Sequence, residues 1–130
     1  MRAIIRLGFV AASMLTSASA FAASMQPFTP SAFEAAKQAG GPVVIDVYAP
    51  WCPVCAAQEP TLNALEADPA YKNVTLLRVD FDRQKTVLRD LNVQQHSTVI
   101  AYHGGHEVER VSGQTGRAAI EAVFAASLKN

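Results

Sequence analysis

Cys52 and Cys55 are the residues whose type and spacing could carry chemistry, and the 130-residue chain has no other cysteine. Pro53, directly after the first cysteine, is typical of the first position of a helix. Cys52 would then occupy the N-cap, where free backbone N–H groups and the helix dipole favour a thiolate. Cys55 would lie one turn further on the same face, close enough to form a short disulfide. The spacing therefore predicts a dithiol redox site.

Two other uses of the cysteines stay open at this point. A structural disulfide is one, although a C-x-x-C loop closes so few residues that it removes little entropy from the unfolded chain. Half of a zinc site is the other, with His96, His103 and His106 as further ligands, but the separation from Cys55 matches no usual zinc-finger spacing. We therefore expect no metal site, and no cofactor, since the cysteine pair would itself carry the electrons.

The residues before the cysteines predict a buried strand that would position them. The run from Val43 to Tyr48 is dominated by β-branched residues, and Asp46 is its single charged member. An acid inside such a strand would be buried with a raised pKa, which suits proton transfer to or from Cys55. The alternative is an aspartate at an exposed strand position.

Helices and strands alternate along the rest of the chain. Helices are predicted at 29–39, 52–66, 84–91 and 117–128, and strands at 43–48, 74–79, 98–102 and 107–111, with a loose or edge segment at 24–28. Thr29 and Thr115 are expected to cap the first and last helices, Pro60 to kink the second, and Gly104-Gly105 to form a tight hairpin turn. This order predicts an α/β fold: a mixed sheet of parallel strands and a C-terminal antiparallel hairpin, with helices on both faces.

The first 22 residues predict a secretory signal peptide. Arg2 and Arg6 precede or border an apolar stretch at 7–15 that is too short to span a bilayer, and Ala20-Phe21-Ala22 fits a cleavage site. Cleavage after Ala22, or alternatively after Ala20, would leave 23–130 as one domain in the periplasm. The chain carries 11 basic and 11 acidic residues, so nothing in its charge favours nucleic acid as a partner.

The element order, together with the Trp51-to-Cys55 motif, resembles the thioredoxin superfamily over about 28–128. Further matches are Asp46, six residues before the first cysteine, Pro60, five after the second, and Gly113 after the hairpin. The resemblance implies a thioredoxin-like fold and thiol–disulfide exchange. Cys52 would be the nucleophile and the more exposed sulfur, Cys55 the resolving thiol and Asp46 the residue that moves the proton.

The resemblance also implies a substrate surface. Trp51 and Pro53 would contact substrate, together with His96, Ser97 and Thr98 in the loop that faces the sulfurs. His96 is expected either to stabilise the Cys52 thiolate or act as a base, or else to face solvent.

Three further expectations accompany that loop. Ser97 replaces the family's cis-proline, and a cis bond before a non-proline residue costs about 3–4 kcal/mol, so the His96–Ser97 bond is predicted to be trans. Arg78 would lie near Asp46 or at a solvated strand end. His103 and His106, beside the hairpin turn, are expected to be solvated.

These expectations combine into a periplasmic thiol–disulfide oxidoreductase that acts on protein dithiols or disulfides as a monomer. A reducing enzyme would need a membrane thiol carrier, and an oxidising one a quinone-linked oxidant. The sequence does not choose the direction. The alternative is a non-catalytic thioredoxin-fold binding module or metal-handling accessory protein, suggested by Ser97 and by His96 beside two thiols.

Overall fold

A five-stranded sheet and four α-helices make up residues 24–129, the part of the chain that the computed structural model describes. The strands are β1 (Gln26–Pro27), β2 (Val43–Tyr48), β3 (Thr75–Asp80), β4 (Thr98–His103) and β5 (His106–Ser112). The helices are α1 (Pro30–Gln38), α2 (Pro53–Ala67), α3 (Lys85–Asp90) and α4 (Arg117–Ser127), with a 3-10 helix at Pro69–Tyr71. The predicted signal peptide and its cleavage site lie outside the described residues. Within the described range, no helix is long and apolar enough to cross a membrane.

The sheet order is β1-β3-β2-β4-β5. β3 runs parallel to both β1 and β2, while β4 is antiparallel to β2 and β5 to β4. Alternate residues of β2 enter the two cores, because successive side chains of a strand point to opposite faces. Ile45 packs with residues of α1 and α3, and Val44 with residues of α2 and α4. The predicted mixed sheet with helices on both faces is therefore confirmed.

Local turn and cap chemistry was predicted correctly at two sites and wrongly at a third. Thr29 Oγ1 accepts the N–H of Ala32 at 3.1 Å and caps α1, as predicted. Gly104 and Gly105 have φ of +55° and +83°, which glycine adopts readily, and they form the predicted tight hairpin turn. The predicted cap of α4 is wrong, because the N-cap residue is Gly116, one residue later, and it makes no side-chain capping bond.

Candidate active site

The two cysteines lie where the chain passes from β2 into α2. Cys52 is the N-cap of α2, with φ −86° and ψ 114°, and Pro53 occupies the first turn. The Cys52 N–H donates to the carbonyl of Ala49 at 3.2 Å, which closes the turn after β2. The Cys55 N–H donates to Cys52 Sγ at 3.1 Å. Both cysteines are free thiols, and the predicted helix-start position of the pair is confirmed.

Both sulfur-bearing residues are buried. Cys52 is 2% exposed and Cys55 is 1% exposed, so Cys52 is the more exposed of the two, as predicted, but both residues are almost inaccessible to solvent. The reason is packing, since the pair forms a small cluster with Ala49 against which Tyr48 and other side chains lie. Burial, followed by the hydrogen bond with Cys52, raises the pKa of Cys55 to about 11.

His96 contacts the sulfur of Cys52. Its Nδ1 lies 3.0 Å from Cys52 Sγ, and its half-buried ring meets Trp51 and Phe81 in edge-to-face contacts, with centroid distances of 4.8 and 5.4 Å. A neutral ring would accept the thiol proton, and a protonated ring would donate to a thiolate. The alternative of a solvent-facing histidine is therefore wrong, and the two aromatic rings fix the imidazole where it can act on the sulfur.

Ser97 shapes the loop that carries His96. No peptide bond between residues 24 and 129 is cis, so the predicted trans His96–Ser97 bond is confirmed. Ser97 instead adopts φ +56°, a left-handed conformation that is unfavourable for a residue with a Cβ. Its N–H donates to the Val47 carbonyl at 2.8 Å and its carbonyl accepts from the N–H of Gly113 at 2.9 Å. Its hydroxyl donates to the His96 carbonyl at 2.6 Å, rather than facing a sulfur.

Gln58 was not singled out from the sequence, yet its side chain forms hydrogen bonds that stabilise this loop. It is fully buried on α2, and its Nε2 donates to the Ser97 carbonyl at 3.2 Å and to the Gln114 carbonyl at 2.8 Å. Its Oε1 has no hydrogen-bond partner within the described residues. The sequence did contain a signal for Gln58. This residue lies three positions after Cys55, on the face of α2 that also carries Leu62, and a polar amide is unusual on a face where apolar residues are expected.

Thr98 is buried at the start of β4. Its hydroxyl donates to the Gln95 carbonyl at 3.0 Å and lies 2.8 Å from Ser112 Oγ. The side chain therefore stabilises the loop and the hairpin, and it presents no free polar group to solvent. Contact of Thr98 with substrate stays a prediction.

Asp46 is buried in the sheet, as predicted, and it is paired. The residue is 1% exposed, and its Oδ2 accepts from Arg78 Nε at 2.8 Å, which confirms the expected proximity of Arg78. Arg78 also donates both Nη atoms to Glu59, at 3.2 and 2.7 Å. Burial raises the pKa of Asp46 to about 6, although the Arg78 charge opposes the rise. Glu59, four residues after Cys55 on α2, was not predicted to take part.

The outer side of this ion pair faces a surface cleft of about 430 Å³. Arg78 lines the cleft together with Tyr48 and Asp80, and its guanidinium stacks 4.4 Å from the Tyr48 ring. Arg78 therefore contacts both the buried carboxylate of Asp46 and the solvent-exposed cleft.

Trp51 and Pro53 form the exposed rim of the site. Trp51 is 58% exposed, and its Nε1 donates to Asp82 Oδ2 at 2.7 Å, which fixes the indole. Pro53 is also exposed. These two side chains offer an apolar surface beside the buried sulfurs, and their contact with substrate stays a prediction.

The other two histidines lie at the hairpin. His103 Nδ1 lies 2.6 Å from the Ser127 carbonyl and is half-buried, so its predicted solvation is wrong because the end of α4 covers it. His106 is exposed, as expected. Of the three histidines weighed from the sequence as zinc ligands, His96 alone lies beside the two cysteines in the described residues.

The family model described as thioredoxin matches residues 24–126. A thioredoxin from Chlamydia trachomatis is 39% identical over 75 residues, which cover 58% of this chain and 72% of that protein. A thioredoxin from Aspergillus fumigatus is 34% identical over 70 residues, 54% of this chain. The match spans 63% of the length of the Aspergillus protein, just under two thirds.

Solved structures agree with this match. The crystal structure of Trxlp from Edwardsiella tarda superposes with a TM-score of 0.75 at 42% identity, covering 78% of this chain and 98% of that one. A thioredoxin from Nicotiana alata superposes with a TM-score of 0.71 at 28% identity, covering 81% and 93%. The likeness extends over the mixed five-stranded sheet and the four helices. The chain belongs to the thioredoxin family.

Proposed function

We propose that this protein is a thiol–disulfide oxidoreductase that acts on protein dithiols and disulfides through Cys52 and Cys55. One observation carries the proposal: Cys52 Sγ lies at the N-cap of α2, within 3.1 Å of the Cys55 N–H and 3.0 Å of His96 Nδ1. Two hydrogen-bond partners and the positive end of a helix dipole converge on one sulfur. Such an environment stabilises a thiolate, which is the reactive form in disulfide exchange.

The exchange takes two steps. The Cys52 thiolate attacks one sulfur of a substrate disulfide, whose S–S bond breaks, so that a mixed disulfide forms and the other substrate sulfur leaves as a thiolate. Cys55 then loses its proton and attacks Cys52 Sγ, which releases the second substrate thiol and leaves a Cys52–Cys55 disulfide. Two electrons pass from the cysteine pair to the substrate, and the reverse sequence oxidises a substrate dithiol.

Asp46 is the residue we assign to accept the Cys55 proton. The pKa of Cys55 is raised to about 11, so the thiol needs a base in the second step. A pKa of about 6 leaves Asp46 mostly ionised at neutral pH and makes it a stronger base than an ordinary aspartate. Arg78 is the hydrogen-bond partner of the Asp46 carboxylate within the described residues, so we assign the transfer to Cys55 to a bridging water molecule.

The substrate peptide lies, in this proposal, along the rim formed by Trp51 and Pro53 and against the His96 loop. Ser97 uses its backbone N–H, its carbonyl and its hydroxyl within the protein, and Thr98 is buried. Their contribution to substrate binding is therefore to hold the loop in shape, while His96, Trp51 and Pro53 make the contacts.

Export to the periplasm completes the proposal, and the pattern of basic, apolar and small residues at 1–22 supports it. There the protein would act as a monomer and exchange electrons with a membrane thiol carrier or with a quinone-linked oxidant. Signal cleavage is tested by N-terminal sequencing of the protein from a periplasmic fraction. A new N-terminus at residue 23 is expected, and an intact Met1 would refute export by this route.

Reduction of insulin by the protein with dithiothreitol tests the activity. Wild type is expected to accelerate precipitation of the insulin B chain, while Cys52→Ser is expected to abolish the acceleration. Cys55→Ser is expected to lose turnover but to accumulate a mixed disulfide. A wild-type protein that is inactive on several protein disulfides would favour the alternative of a non-catalytic binding module, which family membership does not favour.

A further inference from the structure

The structure brings together three of the metal ligands that were weighed from the sequence. Cys52 Sγ, Cys55 Sγ and a ring nitrogen of His96 all lie within 4.8 Å of one another. We propose that the reduced protein binds one copper(I) ion through Cys52, Cys55 and His96. The site uses the cysteine pair of the proposed function, but copper binding does not depend on catalysis.

The three ligands come from two rigid parts of the fold. Cys52 and Cys55 lie one turn apart at the start of α2, which fixes the two sulfurs relative to each other. His96 arrives from the loop before β4, and its ring stands nearly perpendicular to those of Trp51 and Phe81, at 83° and 85°. The ring therefore keeps Nδ1 directed at the sulfur, 3.0 Å away, with no metal required to orient it.

The distances suit a shared ion. Ligand atoms on one ion lie roughly 3.5–4 Å apart, given bond lengths of about 2.0–2.3 Å to imidazole nitrogen and thiolate sulfur. In the structure each pair of ligand atoms lies within 4.8 Å, which is close to the separation that a shared ion requires. Only the 3.0 Å contact between Cys52 Sγ and His96 Nδ1 must open slightly, as an ion replaces the hydrogen bond.

The ligand set selects a soft, low-coordinate ion. Thiolates favour copper(I) and zinc, whereas calcium and magnesium require oxygen ligands, and no carboxylate belongs to this cluster in the described part of the chain. Structural zinc sites almost always have four protein ligands, and the nearby Ser97 hydroxyl is already engaged by the His96 carbonyl. Zinc held by three protein ligands keeps a water in its fourth position, and both cysteines here are almost fully buried, so a low-coordinate copper(I) ion fits the site better.

Charge balance is consistent with this choice. Binding would release the protons of any protonated thiols to solvent and would move no electrons. Two thiolates with one copper(I) carry a net charge of −1, and the N-terminus of α2, where Cys52 is the cap, favours a negative charge. A Cys52–Cys55 disulfide offers no thiolate, so only the reduced protein would bind the ion.

Anaerobic titration of the reduced, full-length protein with copper(I), against a chromophoric copper(I) chelator, tests the proposal. One ion per chain is expected for wild type, and none for the oxidised protein. His96→Phe keeps an aromatic ring between Trp51 and Phe81 but removes Nδ1, and should weaken binding by more than the roughly 10–100-fold that loss of an outer-shell partner costs. His103→Phe is the matched control, and it should bind copper(I) as wild type does.

Three results would overturn the copper assignment: equal copper(I) affinity of wild type and His96→Phe, binding by the oxidised protein, or displacement of copper(I) by equimolar zinc. Circular dichroism verifies that the variants are folded. Failure here is distinguishable from failure of the proposed function, because a protein that reduces insulin without holding copper(I) refutes only this inference. A protein that holds copper(I) but reduces no disulfide refutes only the proposed activity.

Discussion

The two ends of β4 carry the same residue type in different surroundings. His96 lies just before the strand and contacts the Cys52 sulfur, whereas His103 ends the strand and contacts the carbonyl of Ser127 in α4. The first end has a left-handed serine, buried polar groups and an unsatisfied amide oxygen, while the second is a two-glycine turn. Strained backbone and buried polar groups lower the free energy of unfolding, and here they lie at the end of β4 that is next to the thiols. We therefore assign the redox chemistry to the His96 end of β4, whereas the His103 end connects β4 to β5.

The largest expected effect is on the free energy of unfolding, and it distinguishes the buried Asp46, near the thiol end, from Glu107 at the hairpin. Asp46 pairs in the sheet with Val99 of β4, whereas Glu107, at the start of β5, forms an ion pair with Arg110 at 2.7 Å. Asp46→Asn is predicted to increase the free energy of unfolding at pH 8 by about 3 kcal/mol, since a shift of one pKa unit corresponds to about 1.4 kcal/mol. Glu107→Gln is predicted to lower it by no more than about 1 kcal/mol.

The sign follows from the raised pKa of Asp46, which burial moves from 3.8 to about 6 in the folded protein. The folded state retains this proton between pH 4 and 6, as the unfolded chain loses it, so wild-type stability falls as the pH rises through that window. Urea unfolding of both proteins at pH 4 and pH 8 measures the difference. Equal pH dependence of wild type and Asp46→Asn would contradict the burial cost, and an unchanged rate of insulin reduction would remove Asp46 from proton transfer.

The next effect compares the two histidines directly. In a Cys55→Ser background, His96→Phe is predicted to slow alkylation of Cys52 by iodoacetamide about tenfold, because a hydrogen bond to a charged group is worth about 1.5–3 kcal/mol. Phenylalanine retains the bulk of the ring, so access to the sulfur changes little. His103→Phe should leave the alkylation rate unchanged and lower stability by about 1 kcal/mol through the lost bond to Ser127. Equal alkylation rates in the two variants would contradict the claim that His96, and not His103, acts on the Cys52 sulfur.

The smallest effect concerns the backbone at each end. Ser97→Ala loses the hydroxyl bond to the His96 carbonyl and should cost about 1 kcal/mol. Ser97→Gly loses the same bond but relieves a left-handed conformation worth roughly 1–2 kcal/mol, so it should be as stable as wild type or slightly more stable. Gly105→Ala, at φ +83°, should cost about 1 kcal/mol for the opposite reason. Thermal unfolding ranks the three, and a Ser97→Gly protein less stable than Ser97→Ala would contradict the strain at Ser97.

The sequence predicted local features at both ends of β4 but missed contacts between residues far apart in the chain, for a physical reason. Gly104-Gly105 and Thr29 act on their immediate neighbours, so local turn and cap chemistry sufficed for them. Cys52 forms a hydrogen bond with His96, 44 residues away, and the Ser97 carbonyl accepts one from Gln58, 39 residues away. Contacts across such separations depend on tertiary packing, which the periodicity of one chain does not encode.

Two errors show the limit of local rules even near the chain's regular elements. The cap of α4 was misplaced by one residue, since Thr115 and Gly116 both suit a helix start. His103 was expected in solvent because it borders a turn, yet the end of α4 covers it. The resemblance to thioredoxins favoured a buried Asp46 over an exposed one, but neither pattern nor resemblance indicated that Glu59 would share Arg78.

Trapping of a mixed disulfide tests most directly that Cys52, although buried, is the attacking sulfur. Cys55→Ser and Cys52→Ser are each mixed with the same peptide disulfide at pH 7, and the rate of adduct formation is followed by mass spectrometry. Burial, the largest cause of the raised pKa of Cys55, persists in Cys52→Ser, so little of this thiol would be ionised at that pH. We predict rapid adduct formation on Cys52 in Cys55→Ser and little or none on Cys55 in Cys52→Ser. Equal rates, or faster reaction of Cys52→Ser, would contradict the account.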